Sequence, residues 1–339
     1  MHTSAHTVAI EEPHISARRI FNLIATELQM VEAEFERQAR SNVQVISYIG
    51  DYLRASGGKR VRPALVLLAT YAAGGDASRS NVIRMATVME FLHTATLVHD
   101  DIIDNAETRR NRASVNSRFG NQTAVLMGDW LYMSAFETSL AERSLPILDI
   151  LTSVTRRMTE GELMQLTLLG RADLTEEQYL DILKRKTAYL FSACCEIGAI
   201  MGGGGGVEQS ALRDFGLNLG TAFQLVDDLL DFTADDETLG KAAGVDLLEG
   251  KVTLPLIYLL QKDSSSRRAI QTVMREGSYA EVPRAMLLDV AEKTGALAHA
   301  RTRAGEFAES AVSALDSLPA SPYRDALQSL PTFILERDR

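Results

Sequence analysis

Apolar residues recur at helical spacing along most of the chain. Ile20, Leu23, Ile24, Leu28, Val31 and Phe35 form one stripe and predict a helix from about Ile15. A second helix is predicted from Ser41 to Leu53, closed by Gly57-Gly58. Pro63 sits near the start of a third, which runs through Leu65 to Ala73 and stops at Gly74-Gly75. Long helical patterns follow over Arg79–Asp104 and Gln122–Arg143, then from Pro146 to about Leu169. Thr175 and Gln178 have the spacing of a capping box and open a helix over Tyr179–Arg185. The stretch Leu190–Met201 is apolar, Val207–Phe232 is another long helix, and helix resumes at Leu254–Leu260 after a polar, Gly-containing loop. No alternating apolar/polar segment of useful length predicts a strand, and no Pro-, Ser- or Gly-rich linker divides the chain. The expectation is an all-α protein: a loose tail over residues 1–14, then a single domain of packed antiparallel helices over 15–339.

Composition sharpens this picture in three places. Aromatic residues make up only 6% while Leu and Ala are plentiful, which favours helix over sheet. The net charge of −10, with no basic block, argues against nucleic acid or an anionic membrane as a standing partner. The two cysteines, Cys194 and Cys195, are neighbours in an apolar stretch. That placement predicts core packing in a reducing compartment rather than a disulfide framework. The first thirteen residues have neither the basic nor the apolar segment of a signal peptide, and no apolar run reaches the ~18 residues of a spanning helix. A cytoplasmic protein is expected. Five glycines, Gly202–Gly206, form a loop; a phosphate-binding nest is the alternative, although no Lys-Ser or Lys-Thr follows as in a P-loop.

Chemistry concentrates in two acidic clusters. His99-Asp100-Asp101-Ile102-Ile103-Asp104 closes an otherwise apolar helix. A helix turns about 100° per residue, so His93, Leu97, Asp100 and Asp104 share a face, and the carboxylates of Asp100 and Asp104 are neighbours. Like charges so placed call for a hard cation, and Mg²⁺ takes a few carboxylates while keeping positions for water and phosphate oxygens. Asp227-Asp228-Leu229-Leu230-Asp231 repeats the spacing at the end of a second apolar helix, with Gln224 one turn earlier. One such cluster could be a solvated helix end. Two predict helix ends facing across a cavity, with metal between them and a diphosphate completing its coordination.

A diphosphate also needs cations from the protein. Gly57-Gly58-Lys59-Arg60-Val61-Arg62-Pro63 joins a flexible turn to three positive charges and a helix start; it can cradle phosphate or be a solvated basic turn. Arg109-Arg110 follows the first cluster closely and can bind phosphate, neutralise the aspartates, or both. Lys186-Thr187 lies in an apolar helical region, where a lysine needs a partner. Lys241 and Lys251 bracket the Gly-containing loop after the second cluster, where they can act in a closing lid or be surface residues.

Taken in order, these segments resemble the trans-isoprenyl diphosphate synthases, most closely the bacterial long-chain, octaprenyl-type enzymes. The resemblance rests on the Gly57–Pro63 turn, on Glu90–Asp104 with Arg109-Arg110, and on Gly128-Asp129. Lys186-Thr187, Phe223–Asp231 and Glu249–Leu256 complete it. It implies the isoprenoid synthase fold, with helices around a deep apolar cavity. It also implies Mg²⁺ at Asp100, Asp104, Asp227 and Asp231. The allylic diphosphate would be held by Arg109, Lys186, Thr187, Gln224, Lys241 and Lys251, and isopentenyl diphosphate by Lys59, Arg62, His93 and Arg110. In this family the residues just before the first cluster set product length. Ala95 and Thr96 are small here, which implies an open tunnel and a product near octaprenyl, destined for a quinone side chain such as that of ubiquinone. Met127, Met133 or Phe136 could close the tunnel further down. The resemblance further implies a homodimer, with at most transient membrane contact for product release. A farnesyl or geranylgeranyl synthase is the nearest rival. A terpene cyclase would lack the need for a second diphosphate pocket, and a catalytically silent partner subunit would be expected to have lost its acidic motifs.

Overall fold

The computed structural model describes residues 17–234 and 243–336, so the tail expected over residues 1–14 and Lys241 lie outside the described residues. The stripe from Ile20 to Phe35 forms two helices, α1 (Ala17–Asn22) and α2 (Ala25–Gln38), interrupted at Leu23-Ile24. Helices α3 (Gln44–Ala55), α4 (Val61–Ala72) and α5 (Ser80–Ile103) follow. Helix α4 begins earlier than expected because Pro63 falls in its first turn, where a missing N–H costs nothing. Helix α5 is buried at almost every position from Val82 to Leu92. A helix apolar on all sides belongs in the middle of a bundle.

The chain continues through α6 (Val115–Phe119), α7 (Asn121–Leu140), α8 (Leu145–Leu168) and α9 (Glu176–Leu183), the last opened by the Thr175–Gln178 capping box. The helix expected to run to Arg185 instead gives way to one π-helical turn, Lys184–Ala188, which leads into α10 (Tyr189–Met201). Helix α11 (Gly206–Thr233) carries the second acidic cluster. Beyond it lie α12 (Val245–Leu248), α13 (Leu254–Lys262), α14 (Arg267–Glu276), α15 (Arg284–Lys293), α16 (Ala296–Ala314) and α17 (Pro322–Glu336).

Helices α4, α5, α10 and α11 form the centre of the bundle, with Leu65–Ala69, Phe91, Phe191, Cys194, Cys195 and Phe215 all fully buried there. Both cysteines are free thiols in this core, and burial pushes both well above the ordinary thiol range. The first glycine of the run, Gly202, serves packing. A Cβ on Gly202 would lie 2.6 Å from the Thr70 carbonyl oxygen, so glycine lets α10 approach α4. No helix among the described residues is long and apolar enough to cross a membrane.

One expectation fails locally. A two-residue antiparallel hairpin, Thr108–Arg109 against Arg112–Ala113, follows the first acidic cluster. Its turn residues, Arg110 (φ 52°) and Asn111 (φ 60°), are both left-handed, the geometry that suits a two-residue hairpin. The pattern was too short to show as alternation in the sequence. Tyr52 fastens the hairpin to α3 through its hydroxyl, which donates to the Ala113 carbonyl at 2.6 Å.

Candidate active site

The first cluster ends α5, with Asp104 as its C-cap. Its three carboxylates have different surroundings. Asp101 is only 2% exposed and accepts a hydrogen bond from Arg109 Nε at 2.5 Å. Asp100 is half-buried, and its carboxyl is pushed up to about 7, first by burial and then by Glu162; Asp104 adds to the rise, while Lys186 and Arg109 oppose it. Asp104 stands 3.6 Å from Lys251 Nζ, which also pairs with Glu249 at 2.7 Å. Although burial pulls the Lys251 ammonium down, Glu249, Asp104 and Asp246 together hold it above the ordinary lysine range.

The second cluster lines a cavity of about 320 Å³. Leu168, Leu169, Ile182, Leu183 and Leu230 supply apolar wall, while Asp227, Asp231, Lys186, Thr187, Gln224 and Lys251 supply polar wall. Asp228 is buried and fully engaged: Tyr179 donates its hydroxyl to Oδ2 at 2.5 Å and Gln224 donates from Nε2 to Oδ1 at 2.8 Å. Burial pushes the Asp228 carboxyl up to about 6; these two hydrogen bonds oppose the rise, and Asp227 and Asp231 add to it. Thr187 in turn donates to Gln224 Oε1 at 2.8 Å, so the amide oxygen is fixed toward the threonine. Asp231 is buried, and its carboxylate accepts the Asp246 N–H at 3.1 Å.

Asp100 and Asp104 are not among the residues lining this cavity. They are connected to it at its rim. Lys251 lines the cavity and approaches Asp104, while Lys186, also in the lining, is among the charges felt by Asp100.

The donor set fits a hard divalent cation bound together with a ligand. Among the described residues, no three acidic or histidine side chains converge closely enough to cage a metal alone. A Mg²⁺ ion does not need such a cage, since one or two carboxylates plus phosphate oxygens and water suffice. The Asp100 carboxyl is raised first by burial and then by Glu162, so its ionised form lacks the solvation that a bound cation would supply.

Several arginines lie around a second cavity lined in part by α5. Arg60 is a structural anchor: it pairs with Glu32 and, at 2.7 Å, with the buried Glu90. Arg110 reaches from the hairpin to the Gly57 carbonyl. Gly57, Arg60, Glu90, Arg109 and Arg110 line this small cavity of about 40 Å³. Arg62 lies over the Phe191 ring, 5.1 Å from its centroid; its Nε is buried without a hydrogen-bond acceptor among the described residues, and burial pulls its guanidinium down. A buried cation with an unused donor suits an anionic ligand. Burial, then Arg62, Arg110, Arg109 and Arg60, hold His93 well below the ordinary imidazole range, so it is neutral at pH 7. Lys59 is exposed at the edge of the turn.

Neither cavity is lined by Ala95 or Thr96. Ala95 is fully buried in the core, and Thr96 is half-buried and donates to the His93 carbonyl at 2.7 Å. Of the residues considered for closing a tunnel, Met127 is buried and Phe136 partly buried, but Met133 is 62% exposed, on the outer side of α7. Sequence reasoning missed Glu162, Gln165, Tyr179 and Asp246. Glu162 is the partner that the half-buried Lys186 required. The residue pattern gave the need but not the address. The Gly128-Asp129 pair is explained by His99, whose Nε2 lies 3.4 Å from Asp129 and would collide with any side chain at 128.

Comparison with known proteins finds a matching family model, and relatives that span nearly the whole chain. Residues 43–288 match the model of the family described as polyprenyl synthetase. The chain is 38% identical to an octaprenyl diphosphate synthase of Escherichia coli over 326 residues, covering 96% of this chain and 100% of the relative. It is 37% identical to a geranyl-diphosphate-specific all-trans-nonaprenyl-diphosphate synthase of Rhodobacter capsulatus, covering 93% of this chain and 96% of that one. A solved polyprenyl synthase from Caulobacter crescentus, complexed with calcium and isoprenyl diphosphate, superposes with a TM-score of 0.89 at 35% identity, covering 97% of this chain and 99% of that one.

Proposed function

Since the chain belongs to the polyprenyl synthetase family and is a prenyltransferase, we propose that it joins isopentenyl diphosphate repeatedly, in 1′-4 linkage, to an allylic diphosphate, with farnesyl diphosphate as primer and an all-trans octaprenyl product for a quinone side chain. The observation that carries the reading is the 320 Å³ cavity, in which a leucine-rich wall meets Asp227, Asp231, Lys186, Thr187, Gln224 and Lys251. A long apolar chain with a diphosphate at one end requires that division.

In this reading Asp100, Asp104, Asp227 and Asp231 hold Mg²⁺, which when bound offsets the charge of the departing diphosphate. Arg109, Lys186, Lys251 and Lys241 hold the same group, Lys241 from outside the described residues. Thr187 and Gln224 help to hold it, and the hydrogen bond from Gln224 Nε2 to Asp228 fixes which way the amide faces. Lys59, Arg62, Arg110 and neutral His93 hold isopentenyl diphosphate, whose double bond attacks the allylic cation left behind. The proton lost in restoring an alkene goes to the released diphosphate. The leucine wall excludes water, which would otherwise trap the cation.

Subunit and product length belong to the same proposal. Leu126 (68% exposed), Met133 (62%) and Leu140 (48%) recur every seven residues on α7, beside exposed Leu145 and Leu163 of α8. Such a stripe supports a homodimer buried along these helices. The enzyme would work in the cytoplasm, touching membrane only to release product. The test is incubation with farnesyl diphosphate, radiolabelled isopentenyl diphosphate and Mg²⁺, followed by chromatography of dephosphorylated products. A ladder ending near eight isoprene units is expected. A stop at three or four units in the unaltered protein would favour a short-chain synthase. No elongation, with folding and Mg²⁺ verified, would favour a silent subunit.

A further inference from the structure

Three consecutive residues of α8 address two consecutive residues of the π-helical turn. Glu160 Oε2 pairs with Arg185 Nη1 at 2.5 Å, and Glu162 pairs with Lys186, whose Nζ lies 2.9 Å from Oε1 and 3.1 Å from Oε2. Between them, Gly161 permits the contact: a Cβ there would lie 2.7 Å from Arg185 Cβ and 3.0 Å from the Lys186 nitrogen. Asp181 holds Arg185 from the other side at 2.9 Å. A π turn is rare and has poorer hydrogen-bond geometry than an α-helix, so it persists where surrounding contacts hold it. Here the contacts are three ion pairs and a glycine.

We propose that Glu162 is a positioning residue for prenyl transfer, holding the Lys186 ammonium at the cavity edge so that one N–H remains directed at the allylic diphosphate. This rests on the function proposed above. A lysine side chain has a four-carbon stem and loses much rotamer freedom when ordered. Lys186 and Glu162 are both largely shielded, at 26% and 19% side-chain exposure, so their attraction is screened less than that of a surface pair. An ammonium has three N–H bonds, and two carboxylate oxygens take at most two. Glu162 therefore orders Lys186 without using up its donors.

The test is a double-mutant cycle in the full-length enzyme, with KM for each substrate read separately. Glu162→Ala is expected to raise the KM for the allylic primer about tenfold while leaving that for isopentenyl diphosphate unchanged. Glu162→Gln, which keeps one acceptor oxygen, should recover part of the loss, and it serves alone if the alanine variant fails to fold. In a Lys186→Ala background, removing Glu162 should change nothing further. Additive losses, or an equal rise in both KM values, would overturn the proposal. So would a Glu162 effect that survives in the Lys186→Ala enzyme and is relieved by added Mg²⁺, which would make Glu162 a metal ligand instead. An unaltered enzyme that does not elongate at all would count against the proposed function. A normal ladder without the coupling would count against Glu162 alone.

Discussion

Arg109 Nε donates to Asp101 Oδ1 at 2.5 Å, and that carboxylate is sealed from solvent. The middle position of the second cluster repeats the arrangement with different chemistry, since Asp228 is buried under Tyr179 and Gln224. In each Asp-Asp-x-x-Asp segment the second aspartate is committed to the protein. In the function proposed above, the cation and its ligand then fall to Asp100 and Asp104 in the first cluster.

Substitution should separate these roles. Asp101→Ala removes the partner of a partly buried guanidinium and should destabilise the protein by ~1–3 kcal/mol. Asp104→Ala removes a carboxylate that faces Lys251 near solvent and should cost under ~1 kcal/mol in stability while abolishing elongation. Denaturant titration beside the elongation assay checks both. Equal destabilisation by the two changes would contradict the division.

Asp100 predicts an unusual pH dependence. Its carboxyl is raised in the folded protein to about 7 from an ordinary value of 3.8, with burial the largest cause. A raised carboxyl contributes stability below the unfolded value, and that contribution is lost as pH rises through the folded one. The unfolded chain sheds its proton first, so the metal-free protein should lose stability between about pH 4 and pH 7 through this group. Asp100→Asn should flatten that window and stabilise the metal-free protein at pH 8 by ~1–2 kcal/mol, while abolishing catalysis. Each tenfold change in proton affinity is worth roughly 1.4 kcal/mol, and solvent screening of a half-buried acid leaves only part of that sum. Thermal melts of both proteins from pH 4 to 8 without divalent metal measure this. Added Mg²⁺ should remove the advantage of the variant.

The stripe on α7 predicts an assembly. Met133→Glu together with Leu126→Glu places two charges in the proposed contact and should shift sedimentation from dimer to monomer with the helical content preserved. An unaltered protein that sediments as a monomer at micromolar concentration would remove the basis for this interface.

Helix period, breakers and caps made most of the bundle legible in advance. The capping box at Thr175–Gln178 appeared as expected, and the glycine stops after α3 and α4 lie where the sequence placed them. These are local signals, decided by residues within a turn or two of each other. The hairpin at Arg109–Arg112 was hidden because two residues per strand are too few for alternation to register. The π turn at Lys184–Ala188 was hidden because its cause lies on another helix, in Glu160, Gly161 and Glu162.

The same distinction applies to the site. By itself the sequence determined that two acidic clusters close apolar helices and that several cations lie near them in the chain, because like charges placed one turn apart on a helix are neighbours wherever that helix lies. Only the tertiary structure decided which carboxylates are spent on the protein, that Arg60 is an anchor bound to Glu32 and Glu90, and that Glu162 holds Lys186. Those outcomes depend on which side chains meet across helices distant in sequence. Burial and pairing are properties of that meeting, and helical spacing along one segment carries no record of them.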